Sequence, residues 1–291
     1  MTFSKPVLDL VSSRTSCRTY EKRMLETETA GRIRRFMSEI PPGPFGSSIR
    51  LLLSASAEGD EQALKGLGTY GVIQNPAGFV IGTVRNVERS LVDYGYCLES
   101  IVLGLEDLGL GSCWLGGIFR KSRFAEKIAC IADECVPAVL SVGYPKGRRS
   151  LVDNLIRAGA RSHKRRPWSE LFFSESLAKP LTRTEAGPYA ACFDAVRLGP
   201  SASNKQPWRI VRESGDAVFH FYLARSPGYA ERSKQRGMAD LQQVDIGIAA
   251  CHFDMVANET GLSGRWAVRN PLYPNLPEFT EYIVTWISSR P

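Results

Sequence analysis

Long apolar runs, zinc-ligand spacings and histidines are all scarce in this sequence, and each scarcity excludes a class of protein. No uninterrupted apolar stretch approaches the roughly 20 residues that a transmembrane helix needs. The chain has seven cysteines and three histidines, and no two cysteines have the C-x-x-C spacing of a zinc or redox site. We therefore expect a protein without a membrane span or a metal site, whose cysteines are buried free thiols.

The sequence also lacks a secretory leader and a dinucleotide-binding fingerprint. Residues 1–9 have neither a basic start nor a long apolar stretch, so a cytoplasmic protein is expected. The glycine-rich stretch 109–117 follows a predicted helix rather than a strand, which argues against a Rossmann site. With 43% hydrophobic and 23% charged residues among 291, the composition is typical of one large globular domain or two modest ones.

Basic residues outnumber acidic ones, 37 against 30, which gives a formal net charge of +7. Five of the positive charges lie in the short run 157–166. A solvated connection between domains explains such a run, and so does the binding of a phosphorylated ligand. Nucleic acid is a poorer candidate, because no platform of interleaved aromatic and basic residues accompanies the run.

Apolar periodicity predicts helices and strands in two successive groups. The strongest predicted helices are 90–108 and 241–260, and the first of them is apolar on more than one face and so expected to be buried on most sides. The other predicted helices are 7–13, 26–39, 124–132 and 189–197, and the predicted strands are 49–55, 79–83, 137–143, 208–212, 217–223 and 281–287. A connection rich in Pro, Arg and Gly, at 144–167, separates the two groups.

An internal repeat links the two long predicted helices. Residues 91–114 and 243–266 align without gaps, and six of the 24 positions are identical. The identical pairs are Val92/Val244, Asp93/Asp245, Gly95/Gly247, Gly109/Gly261, Leu110/Leu262 and Trp114/Trp266. Chance gives about one or two identities in such a window at average amino-acid usage. We infer a duplication, with two merely similar amphipathic helices as the alternative.

Three short motifs have residues suited to a flat, phosphorylated ligand. Residues 14–18 place two arginines and a serine close enough to converge on one phosphate. The loop 198–208 offers hydroxyl and amide groups to the carbonyls and ring nitrogens of a heterocycle. The glycines of 109–117 let the backbone approach a ligand. The alternatives are surface arginines, a Ser/Asn turn entering a strand, and a helix C-cap followed by a turn.

Together these motifs resemble those of the nitroreductase family of flavoproteins. The matching stretches are Arg-Thr-Ser-Cys-Arg at 14–18, Gly-Leu-Gly-Ser-Cys-Trp at 109–114 and Ser-Ala-Ser-Asn-Lys-Gln-Pro-Trp at 201–208. A basic Lys-x-Arg-x-Pro segment usually closes such chains, and 163–167 is similar to it. The resemblance covers most of the chain and implies an α+β fold, the nitroreductase-like three-layer α/β/α sandwich.

The order of the motifs departs from the family pattern. A typical member has the Gln-Pro-Trp loop soon after the arginine motif, where this chain has 44–50 without Asn or Gln-Pro-Trp. In typical members the flavin lies at a dimer interface, and the partner subunit donates that loop. The chain therefore resembles two fused subunits, with 1–173 supplying the phosphate and ring-edge contacts and 174–291 donating the loop. This implies two pseudo-repeats packed as an intramolecular dimer, with one intact site and one dead site.

By the same resemblance the cofactor is FMN, and particular residues are expected to bind it. They are Arg14, Ser16, Arg18, Lys164 and Arg165 at the phosphate, Ser201, Ser203 and Asn204 from the opposite half, and Leu115, Gly116 and Gly117 at the ring edge. The backbone N–H of Gly116 or Gly117 would face flavin N5 and so serve catalysis. Family members often have an acidic residue at the Gly116 position, and its absence here puts the substrate in doubt.

The resemblance implies an FMN-dependent oxidoreductase of the nitroreductase type. It would take hydride from NAD(P)H and pass the electrons to a nitroaromatic, quinone or similar acceptor in a ping-pong cycle. A specialised flavin enzyme of the same fold, such as a dehalogenase or an enzyme that consumes its flavin, is a second possibility. A non-catalytic FMN-binding protein is the third. The expected partner is a small-molecule electron acceptor rather than nucleic acid or a membrane, and the chain is expected to be a monomeric pseudo-dimer or a weak homodimer.

Overall fold

A computed structural model of the chain describes residues 2–56, 62–117, 119–147, 164–215, 217–269, 271 and 276–289. Most of the basic run 157–166 lies outside the described residues. The helices are α1 Val7–Ser13, α2 Thr27–Ser38, α3 Ser90–Asp107, α4 Lys121–Lys127, α5 Arg183–Ala186, α6 Ala190–Leu198, α7 Tyr229–Gln235 and α8 Leu241–Glu259. The strands are β1 Ile49–Ala55, β2 Gly78–Arg85, β3 Gly111–Leu115, β4 Glu134–Cys135, β5 Val139–Gly143, β6 Phe172–Ser174, β7 Trp208–Arg212, β8 Val218–Ala224, β9 Gly264–Ala267 and β10 Thr280–Ser288.

The two sheets have matching topologies. The first has the order β1-β2-β5-β3, and β4 pairs with the end of β2. The second has the order β6-β7-β8-β10-β9. The pairs β1/β2, β2/β5 and β5/β3 are antiparallel, and so are β7/β8, β8/β10 and β10/β9. A long helix leads from the second to the third strand of each set in chain order. The repeat detected in the helices therefore extends to the sheets.

Elements at both ends of residues 1–173 pack against the second half of the chain. Helix α1 begins the chain but packs in the core of the second half, where Leu10 and Val11 are buried in one cluster with Phe193 and Phe253. Strand β6 pairs in parallel with β7 and so joins the second sheet, although it spans the predicted boundary at 173/174. The division of the chain into two halves at that point stays a prediction.

The long helices α3 and α8 meet at a pair of glycines. A Cβ atom added to Gly95 would lie 2.1 Å from the carbonyl oxygen of Val244, and one added to Gly247 would lie 1.9 Å from that of Val92. Glycine at both positions lets the two backbones touch. Both helices are buried nearly all round, which confirms the expectation for 90–108. Two of the six identical pairs in the repeat, Val92/Val244 and Gly95/Gly247, thus lie where the two helices cross.

Several elements differ from their sequence predictions. The stretch 109–117 begins with the predicted C-cap, Gly109 at φ 72°, but continues as the edge strand β3 rather than as a turn. The predicted helix 124–132 is the earlier and shorter α4, since Ala129 adopts a left-handed conformation that ends helical pairing. Strand β9 and helix α7 were not predicted, because each is short and lacks a clear apolar period.

Candidate functional site

A cavity of about 660 Å³ lies between the two halves. Four parts of the chain that are distant in sequence contribute to its walls: the segment 14–18 after α1, the end of β3, the loop 198–204 and the start of α8. Its volume falls within the range of about 300–1,000 Å³ typical of small-molecule sites. Because α1 packs on the second half, the arginine motif that follows it is held at the junction.

Ten of the eleven predicted site residues line this cavity. They are Arg14, Ser16, Arg18, Leu115, Gly116, Gly117, Arg165, Ser201, Ser203 and Asn204. Lys164 is not among the lining residues, and its side chain is exposed. The main-chain carbonyl of Lys164 instead accepts a hydrogen bond from the side-chain amide of Asn204 (2.9 Å). The structure therefore assembles the predicted residues in one place, and a contact from the Lys164 side chain stays a prediction.

Arg14 is a buried cation with no counter-ion among the described residues. Its residue exposure is 8%, and its Nε atom is buried with no hydrogen-bond partner among the described residues. The backbone N–H of Cys17 donates to the carbonyl of Ser112 (2.8 Å), which fixes the arginine motif beside β3. Burying an uncompensated guanidinium is costly, so an anion inside the cavity is its natural partner.

The loop of the second half is strained and tightly held. Ser203, Asn204 and Gln206 all have positive φ values near 50°, a conformation that costs about 1–3 kcal/mol at a non-glycine residue. The amide of Gln206 is buried, donates to the carbonyl of Lys164 (3.2 Å) and accepts from the N–H of Arg166 (2.8 Å). Gln206 therefore clamps the basic segment of the first part of the chain to the loop, and such strain is typical of ligand-binding loops.

The two aspartates of the repeat both accept backbone N–H groups, but only Asp93 does so with both carboxylate oxygens. Both carboxylate oxygens of Asp93 accept backbone N–H groups, from Phe45 (2.8 Å) and Ser47 (2.7 Å). In Asp245 one oxygen accepts from Ala202 (2.9 Å), and the other is buried without a partner among the described residues. Burial raises the pKa of Asp245 well above its ordinary value, and the bond from Ala202 offsets only part of the effect. Asp245 lines the cavity.

We expect Asp245→Asn to raise the free energy of unfolding of the ligand-free protein at pH 7 by about 2 kcal/mol, because the variant lacks a carboxyl group whose ionisation burial disfavours. The raised pKa means that the folded state binds more protons than the unfolded state, so wild-type stability falls as the pH rises above about 4. The gain should therefore shrink as the pH falls toward that value. Urea unfolding between pH 4.5 and pH 8 measures it.

The matched control is Asp93→Asn. Because both oxygens of Asp93 accept N–H groups, an amide NH₂ there would face a donor, and stability should fall instead of rise. Equal losses in both variants, or a gain independent of pH, would show that Asp245 is not held as an unsatisfied carboxyl.

A buried chain of hydrogen bonds supports the cavity wall at Trp114. The indole N–H of Trp114 donates to Glu99 (2.7 Å), whose other oxygen lies 2.9 Å from Nε2 of His252. Nδ1 of His252 lies 2.9 Å from the carbonyl oxygen of Ala195, which can only accept, so Nδ1 carries a proton. Glu99 is on α3 and His252 on α8, so the network ties both central helices to the cavity wall.

A family model described as "Putative TM nitroreductase" matches residues 6–257, most of the 291-residue chain. The chain belongs to this nitroreductase family. The match spans the motifs at 14–18, 109–114 and 201–208, so the resemblance drawn from them is confirmed.

Three solved structures are similar to this chain to different extents. A protein of Thermotoga maritima, described as a putative nitroreductase, matches over 99% of this chain and 95% of its own, with TM-score 0.61 and 19% identity. An FMN-dependent nitroreductase from Clostridium difficile matches 48% of this chain and 88% of its own, with TM-score 0.40 and 17% identity. A nitroreductase with bound FMN from Bacteroides fragilis matches 51% and 92%, with TM-score 0.39 and 16% identity. The first match confirms the nitroreductase fold. No functionally curated protein matches.

Across the described parts of this nitroreductase, all seven cysteines are free thiols. In the same residues no helix is long and apolar enough to cross a membrane. No group of three or more His, Cys, Asp or Glu side chains among them is placed to hold a metal ion.

Sequence reasoning missed part of the cavity of this nitroreductase. Tyr229, Arg236, Met238 and Leu241 also line it, and the first three lie in the segment 225–240 between β8 and α8. That segment was not predicted to approach the site, because its only sequence signal is its length. Asp245 was recognised as a repeat identity without a role.

Proposed function

We propose that this nitroreductase is an FMN-dependent oxidoreductase that takes hydride from NAD(P)H and passes the electrons to a nitroaromatic, quinone or similar acceptor. The observation that carries the proposal is the buried Arg14 guanidinium, which has no counter-ion among the described residues and shares its cavity with Ser16 and Arg18. Two arginines and a hydroxyl suit a terminal phosphate dianion. We propose the ping-pong order because donor and acceptor would use this same cavity in turn.

The rest of the cavity fits FMN as well. The Ser201 and Ser203 hydroxyls line the cavity and suit the carbonyls and ring nitrogens of the flavin. The amide of Asn204 also lines it, while it donates to the carbonyl of Lys164 (2.9 Å) and accepts from Arg165 (3.2 Å). The free oxygen of Asp245 is a buried acceptor that a ligand donor would satisfy. When bound, FMN supplies the hydride acceptor and returns the electrons to the second substrate.

The residues of the chain bind, orient and stabilise the cofactor rather than react with it. Arg14 and Arg18 would neutralise its phosphate, and the loop of the second half would fix the polar edge of the ring. The backbone N–H groups of Gly116 and Gly117 would donate at the ring edge, where negative charge develops on reduction. No side chain is required as an acid or base, since solvent can supply the proton.

We further propose one FMN per chain. In the second half, Arg183-Thr184 followed by Tyr189 repeats the spacing of Arg14-Thr15 followed by Tyr20, and Arg183 is exposed and paired with Asp194 (2.6 Å). The Arg183 guanidinium also lies 4.5 Å from the ring centroid of Trp168. Glu185, in the position of Ser16, closes a capping box with Thr182. In the second half this motif therefore begins helix α5. Glu185 also places a negative charge where the first half has the hydroxyl of Ser16.

We expect the purified protein to show flavin absorbance and to release one equivalent of FMN per chain on denaturation, identified by chromatography. NADH or NADPH should bleach the absorbance, and a quinone should restore it. Two equivalents would contradict the single site. The absence of flavin, even after incubation with excess FMN, would contradict the proposed function and leave a resemblance of fold alone.

A further inference from the structure

We propose that Arg236 binds an anionic group of the electron acceptor, so that the preferred acceptors are planar aromatic or quinoid molecules with a carboxylate or sulfonate. The inference rests on the proposed function and names its substrate class.

Arg236 belongs to a segment that only one half of the molecule has. Between β8 and α8 the chain has the 16 residues 225–240, whereas 4 residues, 86–89, join the corresponding β2 and α3. The 225–240 segment is held in place at both ends. Arg225 pairs with Asp240 (2.7 Å) and with Glu281 (2.7 Å), and the Lys121 ammonium donates to the carbonyl of Gly237 (3.1 Å).

The segment contacts the residues that follow β3, whereas the arginine motif is bonded to the start of β3. Cys17 is bonded to Ser112 at the start of β3, and Gly116 lies four residues farther along, about 13 Å for an extended chain. A Cβ atom at Gly116 would be 2.3 Å from Leu241, and one at Gly117 would be 2.9 Å from the sulfur of Met238. Arg236 is two residues before Met238, and it lines the same cavity as Arg14.

Arg236 is an exposed residue, and its guanidinium has no counter-charge among the described residues. Its side chain has no hydrogen bond or ion pair with any described residue, although it lines the cavity. The other charged residues of the lining are Arg14, Arg18, Arg165 and Asp245. The only acidic member is Asp245, which accepts from Ala202 on the loop side, and its raised pKa favours the neutral form. If Arg14 binds the phosphate of FMN, the Arg236 guanidinium can bind a different anion.

The neighbours of Arg236 favour a flat ring attached to that anion. Tyr229, Met238 and Leu241 line the cavity beside it and present aromatic and apolar surface. Tyr229 stays neutral at physiological pH, because burial, followed by the proximity of Asp245, raises its pKa to about 12. An apolar wall next to an unpaired guanidinium suits an aromatic carboxylate, which combines ring contacts with a charge-assisted hydrogen bond.

The test compares two acceptors that differ in charge, 4-nitrobenzoate and 4-nitrobenzyl alcohol. In the FMN-loaded protein, Arg236→Gln should weaken calorimetric binding of 4-nitrobenzoate about 10-fold and lower its kcat/KM similarly, with less than about 2-fold change for the alcohol. Added salt should weaken 4-nitrobenzoate binding in the wild type and not in the variant.

The matched control is Arg232→Gln. Arg232 lies one helical turn earlier on α7, is not in the cavity lining, and donates to the carbonyl of Pro227 (3.1 Å). This variant should bind both acceptors as the wild type does. The same loss in Arg232→Gln would indicate a general effect of surface charge and overturn the assignment.

Three other outcomes would overturn the inference. Equal losses for both acceptors in Arg236→Gln would exclude charge recognition. A weaker FMN affinity in that variant would make Arg236 a cofactor ligand. A higher KM for NADPH but not for NADH, with acceptor binding unchanged, would assign Arg236 to the donor phosphate. In all three the protein still binds FMN, whereas a wild type that binds no FMN overturns the proposed function itself.

Discussion

Replacing Gly247 by alanine should destabilise the protein by about 3 kcal/mol or more, because backbone atoms of α3 stand where the new methyl group would lie. The added Cβ would be 1.9 Å from the carbonyl oxygen of Val92 and 2.7 Å from the amide nitrogen of Tyr96. Neither atom can rotate away as a side chain would, so the two helices must separate. Urea unfolding followed by circular dichroism measures the loss, and Gly95→Ala should behave in the same way.

Gly31→Ala is the control for this prediction. Gly31 lies within helix α2, and a Cβ atom there would meet nothing within 4 Å. Alanine should therefore stabilise the protein by about 0.5–1 kcal/mol through helix propensity. If Gly247→Ala were as stable as wild type, α3 and α8 would not be in backbone contact.

Replacing Arg14 by methionine should have effects of opposite sign on cofactor binding and on stability. FMN affinity should fall about 100-fold, since a charge-assisted, fork-shaped contact to the phosphate is lost in a buried place. The free energy of unfolding of the apoprotein should rise by about 1 kcal/mol, because a buried cation without a counter-ion is removed. Fluorescence titration with FMN measures the first effect and urea unfolding of the apoprotein the second.

The repeat provides the control for Arg14→Met as well. Arg183→Met changes the corresponding arginine of the second half, which is paired on the surface with Asp194, and should leave FMN affinity unchanged. Riboflavin lacks the phosphate, so its affinity should be similar in wild type and Arg14→Met. A 100-fold loss for riboflavin too would mean that Arg14 supports the fold of the cavity instead of binding phosphate.

Much of the fold was predictable because strong local patterns agree with the tertiary structure. Helix α1 and strands β1 and β7 have the predicted bounds. The two long helices, α3 and α8, each end within one residue of the predicted end. Short motifs identified the family for a similar reason. Serine, asparagine and arginine at fixed spacing have few structural uses, so their pattern retains information about the ligand.

Other features depend on contacts that are distant in sequence. Strand β3 exists because β5 pairs with it, and a five-residue stretch that begins with glycine shows no strand period by itself. The role of Asp245 depends on Ala202, 43 residues away. The approach of 225–240 to the cavity depends on Lys121 and on the packing of Leu241 against Gly116. None of these contacts can be predicted from the local amino-acid sequence.

The unequal connections between sheet and long helix, 86–89 in one half and 225–240 in the other, show what a single chain allows. In a homodimer every substitution is made twice by symmetry, so a segment that covers one flavin must also cover the other. In a single chain, one copy of a duplicated element can change in sequence while the other copy stays the same. Arg183 is paired with Asp194 on the surface, whereas Arg14 lines the cavity. Assembly of the cavity also becomes intramolecular, so its cofactor affinity should not decline on dilution, as it does when two subunits must first meet.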